Sequence, residues 1–212
     1  PCMDDDMMRR GKASTWAEFG EDIGVLAGDA LMMYAFETAS CAFETSVDPD
    51  ELSRIGKAIG ILARKTGVYG MIGGQTVDVE LAGGPIPADK LDFIYHLKTG
   101  ALIEASMLIG AVLGGAADED CKIVESLASK IGMAFQIQDD ILDVTGSEEI
   151  IGKPVNSDEK NKKTTYVTLE GLEKAKQDVE KISAEAIEEL NKLPGNNDFL
   201  EQLIHLLIHR QK

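Results

Sequence analysis

Phe135-Gln136-Ile137-Gln138-Asp139-Asp140-Ile141-Leu142-Asp143 stands near the end of an apolar-periodic stretch running from about Glu119 to Val144. In a helix, Asp139 and Asp143 are four residues apart and Asp140 and Asp143 three apart, so their carboxylates share one face. Phe135, Ile141 and Leu142 flank that face, which predicts the rim of a buried cavity. Three carboxylates gathered there repel one another. Hard divalent cations are the natural compensation, and Mg2+ takes a few carboxylates together with substrate phosphates. A solvated acidic face is the competing reading, and the apolar neighbours weigh against it.

Helical periodicity recurs to both sides of this stretch, and strand alternation is scarce. Upstream, helices are expected over about Phe19 to Phe43, Glu51 to Val79 and Asp89 to Leu113. Val47-Asp48-Pro49-Asp50 and the Gly83 to Pro87 run separate them. Downstream, Thr145 to Thr164 reads as a long polar loop. Two amphipathic helices follow, about Tyr166 to Leu193 and Phe199 to Arg210, parted by Pro194-Gly195-Asn196-Asn197. Gly24, Gly28, Gly56 and Gly60 fall inside expected helices at a cost in helix propensity, which close packing of buried helices would explain.

With 212 residues, the chain is long enough for one well-buried domain and is read as a single all-α unit over 1–212. Hydrophobic residues make up 44% and charged residues 27%, an ordinary globular composition. The formal charge of −16 argues against nucleic acid as a partner. No uninterrupted apolar run approaches the ~20 residues of a membrane span, and no signal peptide is recognised. Cys2, Cys41 and Cys121 are far apart and odd in number, which points to free thiols in a reducing cytoplasm rather than disulfides or zinc.

A second acidic cluster, Asp4-Asp5-Asp6, precedes Arg9-Arg10-Gly11-Lys12. Further basic residues are Lys98, Lys153, Lys162 and Lys163. Each lysine alone reads as surface solvation. Together with the acidic clusters they form the groups that, with Mg2+, clamp a diphosphate. Other motifs fail on spacing. Gly146 to Lys153 has five residues between its glycines and Pro154 after the lysine, so it is no Walker loop. Ile141 occupies an EF-hand ligand position, and His96, His205 and His209 form no HExxH. Trp16 and the methionines Met3, Met7, Met8, Met32 and Met33 are read as packing residues.

At this point the sequence resembles the trans-polyprenyl diphosphate synthases, in particular the short-chain bacterial farnesyl and geranylgeranyl diphosphate synthases. Phe135 to Asp143 is similar to the family's second aspartate-rich motif, and Pro1 to Gly11 to the end of its first. Phe19-Gly20-Glu21, Ala27 to Leu31, Gly73-Gly74-Gln75 with Asp78, Lys98-Thr99-Gly100 and Gly152-Lys153 with Asp158 and Lys163 follow in the family's order. The resemblance implies an all-α helical bundle around a deep central cavity, usually as a homodimer. Apolar helix faces, including part of Asp89 to Leu113, are expected at the interface. It also implies a Mg2+-dependent condensation of isopentenyl diphosphate with an allylic diphosphate. A class I terpene cyclase and a non-catalytic helical partner subunit are the alternatives.

By the same resemblance, Asp4, Asp139, Asp140, Asp143 and Asp158 belong to the metal sites, with Asp140 nearby and Asp158 as an outer contact. Arg9, Lys98, Lys153 and Lys163 would hold the allylic diphosphate, and Arg10 the isopentenyl diphosphate. Thr99 and Gln136 would steady the developing cation, giving Lys98, Thr99 and Gln136 the catalytic roles. The family pattern also carries two aspartates ahead of Asp4 and helices upstream of them, so N-terminal helices are expected to be missing. Met7, Trp16 and Ala13 depart from the residues common in close relatives.

Overall fold

The computed structural model describes residues 3, 5–9, 11–146, 164–208 and 210. Asp4, Arg10, Lys153, Asp158 and Lys163 lie outside them, as does nearly all of the expected loop between Thr145 and Thr164. The fold is all-α, as expected, apart from a short antiparallel ribbon that the sequence pattern does not announce. In it β1 (Met8–Arg9) pairs with β2 (Lys12–Ala13).

Helix α1 (Thr15–Phe19) and α2 (Glu21–Ser40) come first, α2 running on into a 3-10 turn over Cys41–Glu44. Helix α3 (Pro49–Thr66) starts where proline and aspartate predict a start. Asp48 caps it by accepting from Asp50 N at 2.9 Å, and Pro49 occupies the first turn, where its missing N–H costs nothing.

The expected single helix from Glu51 to Val79 is two. Helix α4 (Met71–Glu80) begins after a turn at Gly70, where a Cβ would lie 2.0 Å from the Lys65 carbonyl oxygen. Only glycine lets the chain pass that close. The expected helix from Tyr166 to Leu193 also divides, into α8 (Tyr166–Glu170) and α9 (Leu172–Leu190), at Gly171 with φ +85°. Helix α10 (Asp198–Ile208) ends the described helices.

The stretch from Asp89 to Leu113 is helical throughout but not uniformly so. Helix α5 (Ala88–Ile94) widens into a π-helical turn, Tyr95–Gly100, before α6 (Ala101–Leu113). By length and composition this 26-residue helical run qualifies as a membrane-crossing helix, which a count of uninterrupted apolar residues misses. Its Leu91, Ile94, Tyr95, Ala101, Ala105 and Leu108 are instead buried in the protein core.

Helix α7 (Asp118–Thr145), 28 residues and about 42 Å long, is the axis of the fold. Val124, Leu127, Ala128, Ile131, Ala134, Ile137 and Ile141 are buried along it at helical spacing and face α6, the π-turn and above all α9. Leu127, Ile137 and Leu190 are fully enclosed and anchor a core that takes in Leu91, Val179, Ala186 and Ile204. Opposite in character, α2 has no buried residue and exposes Leu26, Leu31, Met33 and Tyr34. Met3, Met7, Met8 and Met33 are likewise exposed, so they do not act as core packing within this chain. Trp16 does pack: Gly24 lies against its Cβ, and its Nε1 donates to Asp6 O at 3.0 Å.

Candidate functional site

The site is built where the π-turn crosses α4 and α7 at backbone distance. A Cβ on Gly74 of α4 would lie 2.4 Å from Lys98 N, and one on Gly132 of α7 would lie 2.7 Å from Gly100 Cα. These glycines let the π-turn sit directly between two helices. The extra residue per turn of a π-helix redirects the side chains that follow, and such turns recur at functional sites.

Two of the redirected side chains are Lys98 and Thr99. Lys98 Nζ donates to Asp78 Oδ2 at 2.6 Å, and Thr99 Oγ1 donates to Gln136 Oε1 at 2.7 Å. The Lys98 side chain remains 31% exposed and lines a cavity of about 540 Å³ with Met3, Met71, Ile72, Gln75, Thr76 and Val79. That wall is mostly apolar, and the carboxylate of Glu80 lines it as well as the Lys98 cation.

On α7 the three aspartates share a face but are unequal. Asp139 is the accessible one, its side chain 42% exposed, and its Oδ1 accepts from Arg210 Nη2 at 3.1 Å. Asp143 is buried, 3% exposed. Asp140 is also buried, and its Oδ2 accepts from the Tyr95 hydroxyl and from Tyr166 N at 2.8 Å. Gln136 Nε2 approaches Asp140 Oδ1 at 3.4 Å. Gln136 thus touches both Thr99 and Asp140, linking the π-turn to the acidic motif. Among the described residues, no three His, Cys, Asp or Glu side chains converge into a ready-made metal cage. The carboxylates share a helix face, but one of them is turned into a hydrogen-bonded cluster.

Arg9 sits apart from this group. It is exposed on β1 and lines a second cavity, of about 690 Å³, with Asp5, Asp6, Trp16 and Asp29. Met3 lines both cavities and is the residue they share.

Three partners have no signal in the sequence pattern. The Tyr95 hydroxyl and the Tyr166 backbone amide reach Asp140 from separate elements, and Arg210 reaches Asp139 across 71 positions. Burial lowers the Arg210 pKa and Asp139 opposes that shift, while the guanidinium remains charged as arginine does in proteins.

A sequence model of the family described as polyprenyl synthetase matches residues 2–205. Among curated proteins, the chain is 42% identical over 193 residues to "Heterodimeric geranylgeranyl pyrophosphate synthase large subunit 1, chloroplastic" of Arabidopsis thaliana. That match covers 90% of this chain and 52% of the relative. It is 41% identical over 177 residues to the farnesyl diphosphate synthase of Geobacillus stearothermophilus, covering 84% of this chain and 59% of that one. The chain therefore spans between half and three-fifths of the length of these relatives. Its fold superposes with TM-score 0.83 and 34% identity on a geranyltransferase from Helicobacter pylori complexed with magnesium and isoprenyl diphosphate, covering 98% of this chain and 66% of that one.

Proposed function

The chain belongs to the polyprenyl synthetase family, and on that premise we propose that it condenses isopentenyl diphosphate with an allylic diphosphate in the trans configuration, releasing diphosphate. The observation that carries the reading is the Thr99–Gln136 hydrogen bond of 2.7 Å. It ties the lysine-bearing π-turn to the acidic helix beside a largely apolar cavity, so phosphate-binding charge and an apolar wall meet at one place.

Lys98 holds the allylic diphosphate, exchanging or sharing its bond to Asp78. The paired carboxylate keeps the ammonium oriented until the substrate arrives. The oxygens of Thr99 and Gln136 face the carbon that becomes positive as the allylic C–O bond breaks. Ile72 and Val79 give the cavity hydrocarbon wall that cannot capture a carbocation, which favours the double bond of isopentenyl diphosphate as the nucleophile. Arg9 and, outside the described residues, Lys153 and Lys163 complete the allylic diphosphate site, with Arg10 on the isopentenyl diphosphate.

The donor set suits Mg2+. Asp139 offers a hard oxygen ligand that is exposed enough to reach an ion while substrate phosphates fill the remaining positions. Asp143, one turn on, is the second carboxylate of this site, and Asp4 and Asp158 are the further members outside the described residues. Asp140 stays beside them in the proposed metal site and also acts as a clamp, because its carboxylate is engaged by the Tyr95 hydroxyl and the Tyr166 amide. When bound, Mg2+ supplies positive charge to the departing diphosphate.

Self-association into a homodimer is part of the proposal, supported by the exposed apolar surface of α2. The cytoplasm is the proposed location, supported by the free thiols of Cys41 and Cys121.

The test is prenyl transfer by the whole gene product, with labelled isopentenyl diphosphate and dimethylallyl, geranyl or farnesyl diphosphate, with and without Mg2+. Elongated prenyl diphosphate is the expected product. Cyclic hydrocarbon would indicate a terpene cyclase, and no product with any allylic partner would indicate a non-catalytic subunit. Asp139→Asn should reduce turnover by roughly 10²–10³, and Lys98→Ala should raise the KM for the allylic substrate more than that for isopentenyl diphosphate.

A further inference from the structure

From Arg54 to Lys65, helix α3 carries Arg54, Lys57, Arg64 and Lys65 and no carboxylate, in a chain whose formal charge is −16. Steps of three and four residues place Arg54, Lys57, Ile61 and Arg64 on one face, with Lys65 beside them. That face lines a cavity of about 440 Å³, within the size range of ligand pockets. Leu108 and Val112 of α6 form its apolar wall together with Ile61, and Cys121 of α7 faces the same space.

The cations there are not balanced by the protein. Asp118 and Glu125 also line the cavity, but Lys65 takes Glu125 at 3.0 Å and pairs with Glu104 as well. Among the described residues, Arg54, Lys57 and Arg64 form no ion pair. Arg54 Nε is shut off from solvent with no hydrogen-bond partner. Like charges gathered on one wall repel one another, and an anion is their natural compensation. Several cations around one group suit a phosphate, which carries more than one charge and accepts donors from several sides, whereas a single guanidinium satisfies a carboxylate. Cys121 and Asp139 are eighteen residues apart on α7, about 27 Å along its axis. A ligand in this cavity therefore lies at the far end of α7 from the acidic motif.

We propose that this cleft binds a phosphate-bearing amphiphile at a second site, separate from the Lys98 cavity. The phosphate seats among Arg54, Lys57 and Arg64, and the hydrocarbon part lies along Ile61, Leu108 and Val112. The inference is independent of the reaction proposed above.

The Cys121 thiol reports on occupancy, and Cys41, exposed in the turn after α2, is the internal reference. The whole gene product is alkylated with N-ethylmaleimide without Mg2+, and each cysteine is timed by peptide mass spectrometry. The probes are geranyl diphosphate, inorganic diphosphate and phosphatidylglycerol vesicles. Geranyl diphosphate should slow alkylation of Cys121 but not of Cys41, and inorganic diphosphate should do so more weakly because it lacks the hydrocarbon part. Arg54→Gln with Lys57→Gln should raise the half-protecting concentration about 10-fold or more, and Lys98→Ala should leave it unchanged. Protection by the vesicles alone, lost in the same double variant, would assign the phosphate to a lipid headgroup. Circular dichroism melts verify folding, and the two single variants replace the double one if it fails to fold. No protection by any probe, or equal protection by sodium chloride at matched ionic strength, would overturn the proposal. So would full protection in the folded double variant, or loss of protection in Lys98→Ala. A double variant that sediments as a smaller species than wild type would also overturn it, since the cations would then serve an interface between copies.

Discussion

The Tyr95 hydroxyl donates to the buried carboxylate of Asp140, which also receives the Tyr166 amide at 2.8 Å. Three separate elements, the π-turn, α7 and the start of α8, therefore meet at one aspartate. This contact decides which of the neighbouring aspartates faces solvent. It also explains why adjacent residues of the same type, Asp139 and Asp140, have different tasks.

Removing that aspartate should cost stability first. Asp140→Ala leaves the Tyr95 hydroxyl without its acceptor, at about 1–3 kcal/mol, and leaves the Tyr166 amide only its longer bond to that hydroxyl, 3.1 Å. Tyr95→Phe removes one donor and should cost about 1–2 kcal/mol. Urea unfolding of both variants checks this. A loss under about 0.5 kcal/mol for Asp140→Ala, the range of an ordinary surface change, would contradict the clamp.

The close crossing of the π-turn should tolerate no side chain. Gly132→Ala places a methyl group 2.7 Å from Gly100 Cα, and neither backbone can yield without shifting Lys98 and Thr99. Overpacking of this kind costs about 1–3 kcal/mol, and the turnover of the folded fraction should fall as well. Thermal melts paired with steady-state kinetics would show it. A variant with normal melting and normal turnover would mean that the crossing is looser than its geometry.

Acid should loosen the contact between α7 and α9. Glu189 of α9 accepts from Lys130 at 2.7 Å and from Ser126 at 3.0 Å, both on α7. Burial alone would raise the Glu189 pKa, but these hydrogen bonds and the Lys130 charge outweigh it and hold the pKa below the usual glutamate range. Within that window the unfolded chain binds the proton that the folded chain refuses. The contribution is thus complete above about pH 4.3, the ordinary glutamate value, and is lost as pH falls through the lower folded value. Denaturant unfolding of wild type and Glu189→Gln should differ by on the order of 1–2 kcal/mol at pH 7. The gap should narrow below pH 4. A gap that widens in acid would reverse the assignment.

Helix α2 should be an association surface. Leu26, Leu31, Met33 and Tyr34 are all more than half exposed on a helix with no buried residue, and Phe93, Leu102 and Leu113 of the Asp89 to Leu113 stretch add further exposed apolar surface. Sedimentation of the whole gene product should give a dimer at micromolar concentration, and Leu31→Glu with Met33→Glu should shift it toward monomer. A wild-type protein that sediments as a monomer would remove the homodimer from the proposal.

Helical periodicity and the spacing of Asp139, Asp140 and Asp143 were enough to read an all-α fold and an acidic motif on one helix face, because both depend on neighbours three or four residues apart. The start of α3 was legible for the same reason, since Asp48 and Pro49 act within a single turn. Long-range contacts leave no such local mark. The breaks at Gly70 and Gly171 required knowing how closely the backbone passes and where φ turns positive; glycine also occurs inside α2 and α3 without breaking either. The π-turn that aims Lys98 and Thr99 exists because Gly74 and Gly132 admit it between two helices. Tyr95, Tyr166 and Arg210 acquire their roles from partners tens of positions away, and only tertiary packing brings them there. Local spacing thus determined which residues could carry the chemistry. Packing decided that Asp139 stays open beside Arg210 while Asp140 closes on Tyr95, because a buried carboxylate has to find its donors inside the protein.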